Sequence, residues 1–391
     1  MNFIILTDYY HPIVKSGSII VGDLANELSQ QGHKITIITF VDNQSKACQI
    51  NLEGEIQIIR IRSLIRKYGR VGRLLAEQSY SSKIKRNLKN LQNIPCDGII
   101  CYSPSIFYGK AIRWLKKKYN SKVYLVMRDI FPKWAIDSGL LKKGLLYNYF
   151  KITEKNLYSS CNVIGIEAKS DLEYFENYGL NNSIIIEVLN NWGSPLNQID
   201  DYFSDNLLDD RKVNIVYGGN MGDAQDILSL VNSIDYSILG QRAIMLLMGD
   251  GNQFDKIKNT INKKNLTNIV LMPTVDRKRY LSFMSKSDIG LVSLSKKMSS
   301  NNYPLKMIGY MQLAKPILGS VNKNNEMIQM IVKNNIGLVS LASDEKSFNK
   351  NLDIMITNEA MRKEQGKNAF KLFNDKFTVR VAALQIYKHF L

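Results

Sequence analysis

Asn301–Gly319, NNYPLKMIGYMQLAKPILG, reads as a loop, a short helix and a strand that together suit a nucleotide diphosphate. Pro304 fits a first helical turn, where its missing N–H costs nothing, and Lys306 then falls near the positive end of the helix, where a phosphate is favoured. Gly309 sits in mid-helix at a cost of about 1 kcal/mol relative to alanine, which predicts close approach by something else. Lys306 and Gly309 are three residues apart and share a face. Taken alone, the stretch fits equally well a core helix packed through Leu305, Ile308 and Met311, with Lys306 merely solvated.

Working outward, the chain alternates strand and helix. The apolar run FIIL, the loop HPIVKSGS, the helical IIVGDLANELSQQ, Gly32 and KITIITF form a strand, helix, strand unit. Further strands are predicted at 56–61, 97–102, 122–127, 162–166 and 184–189, so residues 1–192 read as a parallel sheet covered by helices. The tract NNWGSPLNQIDDYFSDN lacks periodicity and places a linker at 193–210. The pattern restarts with VNIVYGGN, AIMLLMGDG, NIVLMP and DIGLVSL, which predicts a second α/β domain over 211–374. The tail, 375–391, is expected to be a helix that packs back on the first domain.

The 391 residues exceed one ordinary core and predict two or three domains. Hydrophobic residues at 45% and charged residues at 22% are ordinary for a soluble globular protein. The opening MNFIILTDYY is broken by Asp8 and has no basic flank, so a signal peptide is not expected, and no apolar run approaches a membrane span. A cytoplasmic protein is therefore expected. Cys48, Cys96, Cys101 and Cys161 form no CxxC pair and only His11, His33 and His389 are present, so neither a disulfide framework nor a metal site is indicated.

The net charge is +17, and between Arg60 and Lys89 ten basic residues face one acid, Glu77. Val71, Leu74, Leu75, Ile84, Leu88 and Leu91 recur at helical spacings among them, which predicts basic amphipathic helices able to dock on anionic lipid, at about 1 kcal/mol per basic side chain. A plain solvated helix face is the alternative. Nucleic acid is not an expected partner, because no recognition motif and no interleaved aromatic platform accompany the charge.

Three glycine-bearing loops fall where strands would end and helices begin, the place where open α/β sheets bind ligands. They are Ser16-Gly17-Ser18, the run Gly218 to Gly222, and Gly249-Asp250-Gly251. Glycine lets backbone amides approach an anion, although each loop by itself also fits a tight turn. None matches a Walker P-loop or the GxGxxG fingerprint, which weighs against ATPase and dehydrogenase readings.

In order along the chain, YYHPIVKSGS, LANELSQQGHKITIIT, VYGGNMGDAQDI, LLMGDGNQF, SDIGLVSL and PLKMIGYMQLAKPILG resemble the family 4 glycosyltransferases of the GT-B fold. The resemblance covers nearly the whole chain. MRDIFPKWAIDSGLL and YPLKMIGYM are most similar to transferases of bacterial O-antigen and capsule clusters that add N-acetylfucosamine-type sugars. It implies two Rossmann-like α/β/α domains facing each other across a cleft, with a UDP-sugar held mainly by the second and the acceptor by the first. Lys306 would hold the diphosphate, with backbone amides at Gly17 and at Gly219, Asn220, Met221 and Gly222. Asn302 and Tyr303 would stand beside the transferred sugar. Gly249, Asp250 and Gly251 would line the nucleotide pocket, with Met272 and Pro273 near the base.

The chain also departs from the family pattern. Two glutamates eight positions apart in many relatives correspond to Asn301 and Gly309, which leaves Glu326 as the substitute carboxylate for the ribose. An arginine and a lysine on the diphosphate correspond to Asn220 and Gln225, which throws more of the leaving-group charge onto Lys306. The catalytic-loop histidine corresponds to Arg128, followed by Asp129, a couple that fits a catalytic role or an ion pair or helix cap.

The expected function is a retaining transferase at the cytosolic face of the membrane. It would move an N-acetylated hexose, the 6-deoxy type included, from UDP to a saccharide on a polyprenyl diphosphate, with no cofactor or metal. Two rivals remain at this stage: a nucleotide-sugar epimerase, for which histidine is scarce, and a non-catalytic membrane-bound assembly subunit, which the missing glutamates would suit.

Overall fold

The computed structural model describes residues 1–13, 16–42, 44–63, 69–91, 94–137, 139–196, 207–298 and 304–391. They form two compact units, one of Met1–Trp192 together with Val379–Leu391, the other of Gly193–Thr378.

Eight strands make the sheet of the first unit: β1 (Asn2–Leu6), β2 (Lys34–Val41), β3 (Cys48–Glu53), β4 (Ile56–Arg62), β5 (Gly98–Tyr102), β6 (Lys122–Val126), β7 (Val163–Ile166) and β8 (Ile185–Val188). Their order is β3-β4-β2-β1-β5-β6-β7-β8, and the ladders are parallel except β3 against β4. The helices are α1 (Ser16–Gln30), α2 (Gly69–Asn90), α3 (Gly109–Tyr119), α4 (Lys133–Asp137), α5 (Leu145–Tyr158) and α6 (Leu172–Glu176).

Both faces of this sheet are covered over its inner strands, which are apolar almost throughout, whereas the edge strand β3 is largely exposed. Ile4 and Leu6 point to a core shared with Ile84 and Leu88 of α2, Ile112 and Leu115 of α3, and Phe150 and Leu157 of α5. On the opposite face Phe3 meets Phe390 edge-on, with ring centroids 5.1 Å apart. A side chain at Gly98 would fall 2.6 Å from both rings, so glycine is required where they pack over β5. The basic stretch after Arg60 forms one helix, α2, rather than several, over its described part.

The second unit has a six-stranded parallel sheet: β9 (Val213–Gly218), β10 (Ala243–Met248), β11 (Ile269–Met272), β12 (Ile289–Ser293), β13 (Ile317–Val321) and β14 (Gly337–Leu341), in the order β11-β10-β9-β12-β13-β14. Its helices are α7 (Ile227–Ser233), α8 (Tyr236–Leu239), α9 (Phe254–Lys263), α10 (Arg277–Lys286), α11 (Leu305–Gln312), α12 (Glu326–Lys333), α13 (Glu345–Thr357) and α14 (Glu359–Lys376). Alternate residues of β9 serve two cores, Ile215 and Tyr217 with α7, α9 and α13, and Val216 with α10, α11 and α14. The last helix, α15 (Val379–Tyr387), belongs to the first unit, where it packs on α1.

Among the described residues no helix is long and apolar enough to cross a membrane. All four cysteines are unpaired, and Cys96, Cys101 and Cys161 are buried.

Candidate functional site

In each sheet the strand order reverses beside one strand, β1 in the first unit and β9 in the second, and it is beyond the carboxyl ends at such a point that open α/β sheets bind ligands. In the second unit Lys306 reaches that point from the first turn of α11. Pro304 is the N-cap, one residue earlier than a first-turn position, and the helix begins at Leu305. Lys306 Nζ donates to Tyr217 Oη at 2.8 Å and lies 4.0 Å from the centre of the Tyr217 ring. Burial lowers its pKa from the lysine value to about 7, and no carboxylate opposes that effect among the described residues. A cation held this way lacks an anion.

The solvated-lysine alternative for α11 fails on this geometry, although Met307, Ile308 and Met311 do fill the core. Gly309 departs from expectation: a Cβ there would meet nothing within 4 Å among the described residues. Among the described residues, no neighbouring element occupies the space over this glycine.

The glycine loops pack on each other. A Cβ on Gly249 would lie 1.8 Å from Gly219 O, and one on Gly251 would lie 2.6 Å from Met221 O. The Gly219 amide donates to Met248 O at 2.9 Å and the Met221 amide to Asp250 O at 2.7 Å. The Met221 side chain is buried in the core. The expectation that these two amides face an anion is therefore corrected: both are spent on holding the loops together. The Asn220 and Gly222 amides have no acceptor among the described residues and remain for a ligand.

Asn220 Nδ2 donates to Gln225 Oε1 at 2.8 Å, so these two residues form a neutral pair. The Asp250 carboxylate accepts from the Gly251 amide at 2.7 Å and stiffens its own turn. Gly249 donates its amide to Met272 O, and Met272 is a core residue rather than a pocket wall. Pro273 lines a separate cavity of about 460 Å³ with Phe254 and Lys258. Glu326 is the first residue of α12, after the carboxyl end of β13, on the same sheet edge as the loops. Asn301, Asn302 and Tyr303 lie outside the described residues.

In the first unit a cavity of about 640 Å³ opens at the ends of β1 and β5. Its lining includes the polar Asp8, Arg73, Arg128 and Asp129, together with Gly17, and an aromatic cluster in which Phe131 meets Trp134 and Phe150, and Phe107 meets Phe150, with Leu141 beside it in the lining. Gly17 keeps space for Tyr102, whose ring would lie 3.1 Å from a Cβ there. Gly17 belongs to the first unit and the Gly219 loop to the second, so neither unit by itself brings them together.

Among the described residues Arg128 makes neither of the structural contacts expected for it. Its guanidinium donates to Leu189 O at 2.8 Å and stands 5.0 Å from the centre of the Trp192 ring. Enclosure raises the Asp129 pKa, against the pull of Arg128 and Arg73.

Two buried carboxylates beside this cavity carried no sequence signal. Asp8 accepts a hydrogen bond from Tyr108 Oη at 2.7 Å. Glu167 accepts one from Asn191 Nδ2, and burial pushes its pKa up to about 7, opposed by Arg128 and reinforced by Asp129 and Asp171.

A parallel sheet with a cation and glycine loops at its switch point is the arrangement of an anion-binding, nucleotide-handling α/β domain. Residues 198–372, all within the second unit, match the model of the family described as Glycosyl transferases group 1. The chain is similar to a curated protein named probable glycosyltransferase WbjE, of Pseudomonas aeruginosa, at 22% identity over 60% of this chain and 57% of that one. The match thus spans little more than half of that relative's length.

Among solved structures, sucrose-phosphate synthase from Thermosynechococcus elongatus is similar over 100% of this chain and 98% of its own, with a TM-score of 0.74 and 12% identity. HepE of Anabaena, solved in complex with UDP and glucose, is similar over 100% and 99%, with a TM-score of 0.66 and 12% identity. WaaG, described as a glycosyltransferase involved in lipopolysaccharide biosynthesis, is similar over 99% of each chain, with a TM-score of 0.67 and 12% identity. These likenesses show the fold, GT-B, with two Rossmann-like units.

Proposed function

We propose that this protein is a glycosyltransferase that takes a UDP-sugar in its second unit and a lipid-linked saccharide in its first. The observation that carries the reading is the Lys306 ammonium, desolvated, faced by a tyrosine hydroxyl instead of a carboxylate, and set at the switch point of the unit that matches the group 1 model. A diphosphate supplies the charge that this lysine lacks. As the bond from the sugar to the β-phosphate breaks, negative charge grows on the departing oxygen, and Lys306 and the Asn220 and Gly222 amides stabilise it electrostatically. UDP in the HepE complex is in keeping with this donor. Gly309 leaves room for the sugar, Glu326 serves the ribose, and Pro273 the base.

The acceptor sits in the first unit's cavity, its hydroxyl toward Arg128 and Asp129 and its apolar portion toward Phe107, Phe131 and Trp134. A cavity lined by both charged side chains and an aromatic cluster suits a sugar joined to a polyprenyl diphosphate. The donor sugar is an N-acetylated hexose of the N-acetylfucosamine type, transferred with retention, in O-antigen or capsule synthesis at the cytosolic face of the membrane.

The test is UDP release from a panel of UDP-N-acetylhexosamines in the presence of membrane lipid extract. Lipid-dependent release, reduced by about two orders of magnitude in Lys306→Ala, is expected. UDP affinity and turnover unchanged in that variant would overturn the placement of the diphosphate, and UDP-sugar binding without release on any lipid would overturn the transferase reading.

A further inference from the structure

The first unit carries an apolar surface that no core uses. Six of the fifteen large apolar side chains standing exposed among the described residues fall between Trp134 and Ile152. They are Trp134, Leu140, Leu145, Leu146, Tyr149 and Ile152, with Leu145 91% exposed and Ile152 64%. On α5, Leu145, Tyr149 and Ile152 follow each other at intervals of four and three and make one stripe. Phe150, Glu154, Leu157 and Tyr158 are buried on the opposite side of the same helix. The helix is therefore apolar on both faces and needs only one of them to fold.

The charge around this stripe has one sign. Asp137 is taken by Lys133 at 2.6 Å. Glu154 is buried and accepts from Lys151, Tyr158, Tyr174 and Tyr178. Lys142, Lys143 and Lys155 remain exposed and have no acidic partner among the described residues. An apolar stripe with a tryptophan and a tyrosine, rimmed by free lysines, complements an anionic bilayer, whose headgroups take the lysines while the side chains enter the acyl boundary.

The α2 surface favoured by its sequence lacks the apolar half of this pattern. Lys85, Arg86 and Lys89 are exposed there, but Ile84 and Leu88 are buried inward. Among the described residues that helix offers charge and one exposed large apolar side chain, Leu75, in place of a stripe.

We propose that α4 and α5 form the membrane-docking surface of the protein, with Leu145, Leu146, Tyr149 and Ile152 entering an anionic bilayer. Trp134 and Leu140 belong both to this patch and to the wall of the 640 Å³ cavity, so docking brings the cavity mouth to the lipid surface. That purpose rests on the lipid-linked acceptor proposed above; the docking itself does not.

The experiment uses the full chain, without donor or acceptor, and vesicles rich in phosphatidylglycerol or made of phosphatidylcholine alone. Flotation with the anionic vesicles and a blue shift of tryptophan emission, absent in Trp134→Phe, are expected. Leu145→Ser with Ile152→Ser should lower the bound fraction about tenfold or more, as should Lys142→Glu with Lys143→Glu. The triple variant Lys85→Glu, Arg86→Glu, Lys89→Glu should lose only a few-fold. UDP affinity, which reports the second unit, should be unchanged in all of them and separates a docking failure from a failure of the donor site. No vesicle binding by the wild type would overturn the proposal. So would loss of binding in the α2 triple variant but not in the α5 double variant, or conversion of a dimer to a monomer by the α5 substitutions with vesicle binding intact.

Discussion

An ammonium at Lys306 that holds its proton only up to about pH 7 ties donor binding to proton uptake. A bound diphosphate raises the lysine pKa, so above pH 7 UDP affinity should fall by roughly tenfold per pH unit, measured by calorimetry in buffers of different ionisation heat. Stability runs the other way. The folded pKa lies below the unfolded lysine value, so the unfolded state holds more protons between the two, and stability of the ligand-free protein rises with pH through that window. Lys306→Met should therefore be more stable than the wild type at pH 6, with the advantage shrinking toward pH 10. Glu167 is the mirror case, because its folded pKa, about 7, lies above the unfolded glutamate value. Its contribution is complete below the unfolded value and lost as pH rises through 7. Glu167→Gln keeps an acceptor for Asn191, so it should match the wild type at pH 4 and exceed it at pH 8 in thermal unfolding.

At the scale of the element, two glycines of the second unit should answer substitution in opposite ways. Gly249 has a φ of +154° and its Cβ would strike Gly219 O, so Gly249→Ala should cost about 3 kcal/mol or prevent folding. Gly309 is helical and a Cβ there would meet nothing among the described residues, so Gly309→Ala should stabilise by about 1 kcal/mol in denaturant titration while weakening UDP-sugar binding more than UDP binding. This pair also marks the limit of what the sequence makes legible. The parallel strands were legible because each is a short apolar run with turn residues beyond it, as VNIVYGGN and AIMLLMGDG are. β3, CQINLE, was not, because half-exposed edge residues lack that contrast. Lys306 was legible from Pro304 and helix polarity, but its lack of a carboxylate partner depends on Tyr217, 89 positions away. The roles of the Gly219 and Met221 amides were misread because a glycine loop that packs on another loop looks, in sequence, like one that awaits an anion. Glu167 and the exposed stripe of α5 depend on burial, which the third dimension sets.

For the whole molecule, the notable feature is that the first unit closes with residues that follow the second. Phe390 and Tyr387 pack on Phe3, and Phe390 is almost fully buried. Phe390→Ala should cost about 3 kcal/mol in the unfolding of the first unit and leave UDP affinity, a property of the second, unchanged. Two transitions followed by separate probes, the fluorescence of Trp114, Trp134 and Trp192, which all lie in the first unit, and UDP-dependent protection, would report this.

That interleaving also sets a timetable for synthesis. The ribosome must add 186 residues, 193–378, after Trp192 before Val379 emerges. At ordinary elongation rates that is about 10–40 s during which the nascent sheet has Phe3 without its last covering helix. The second unit has no such wait, since all of its strands and helices arrive in one run. A chaperone that shelters exposed apolar surface during those seconds would find a client site in the strip that Phe390 later covers, and residues 379–391 act as the latch that ends its service there.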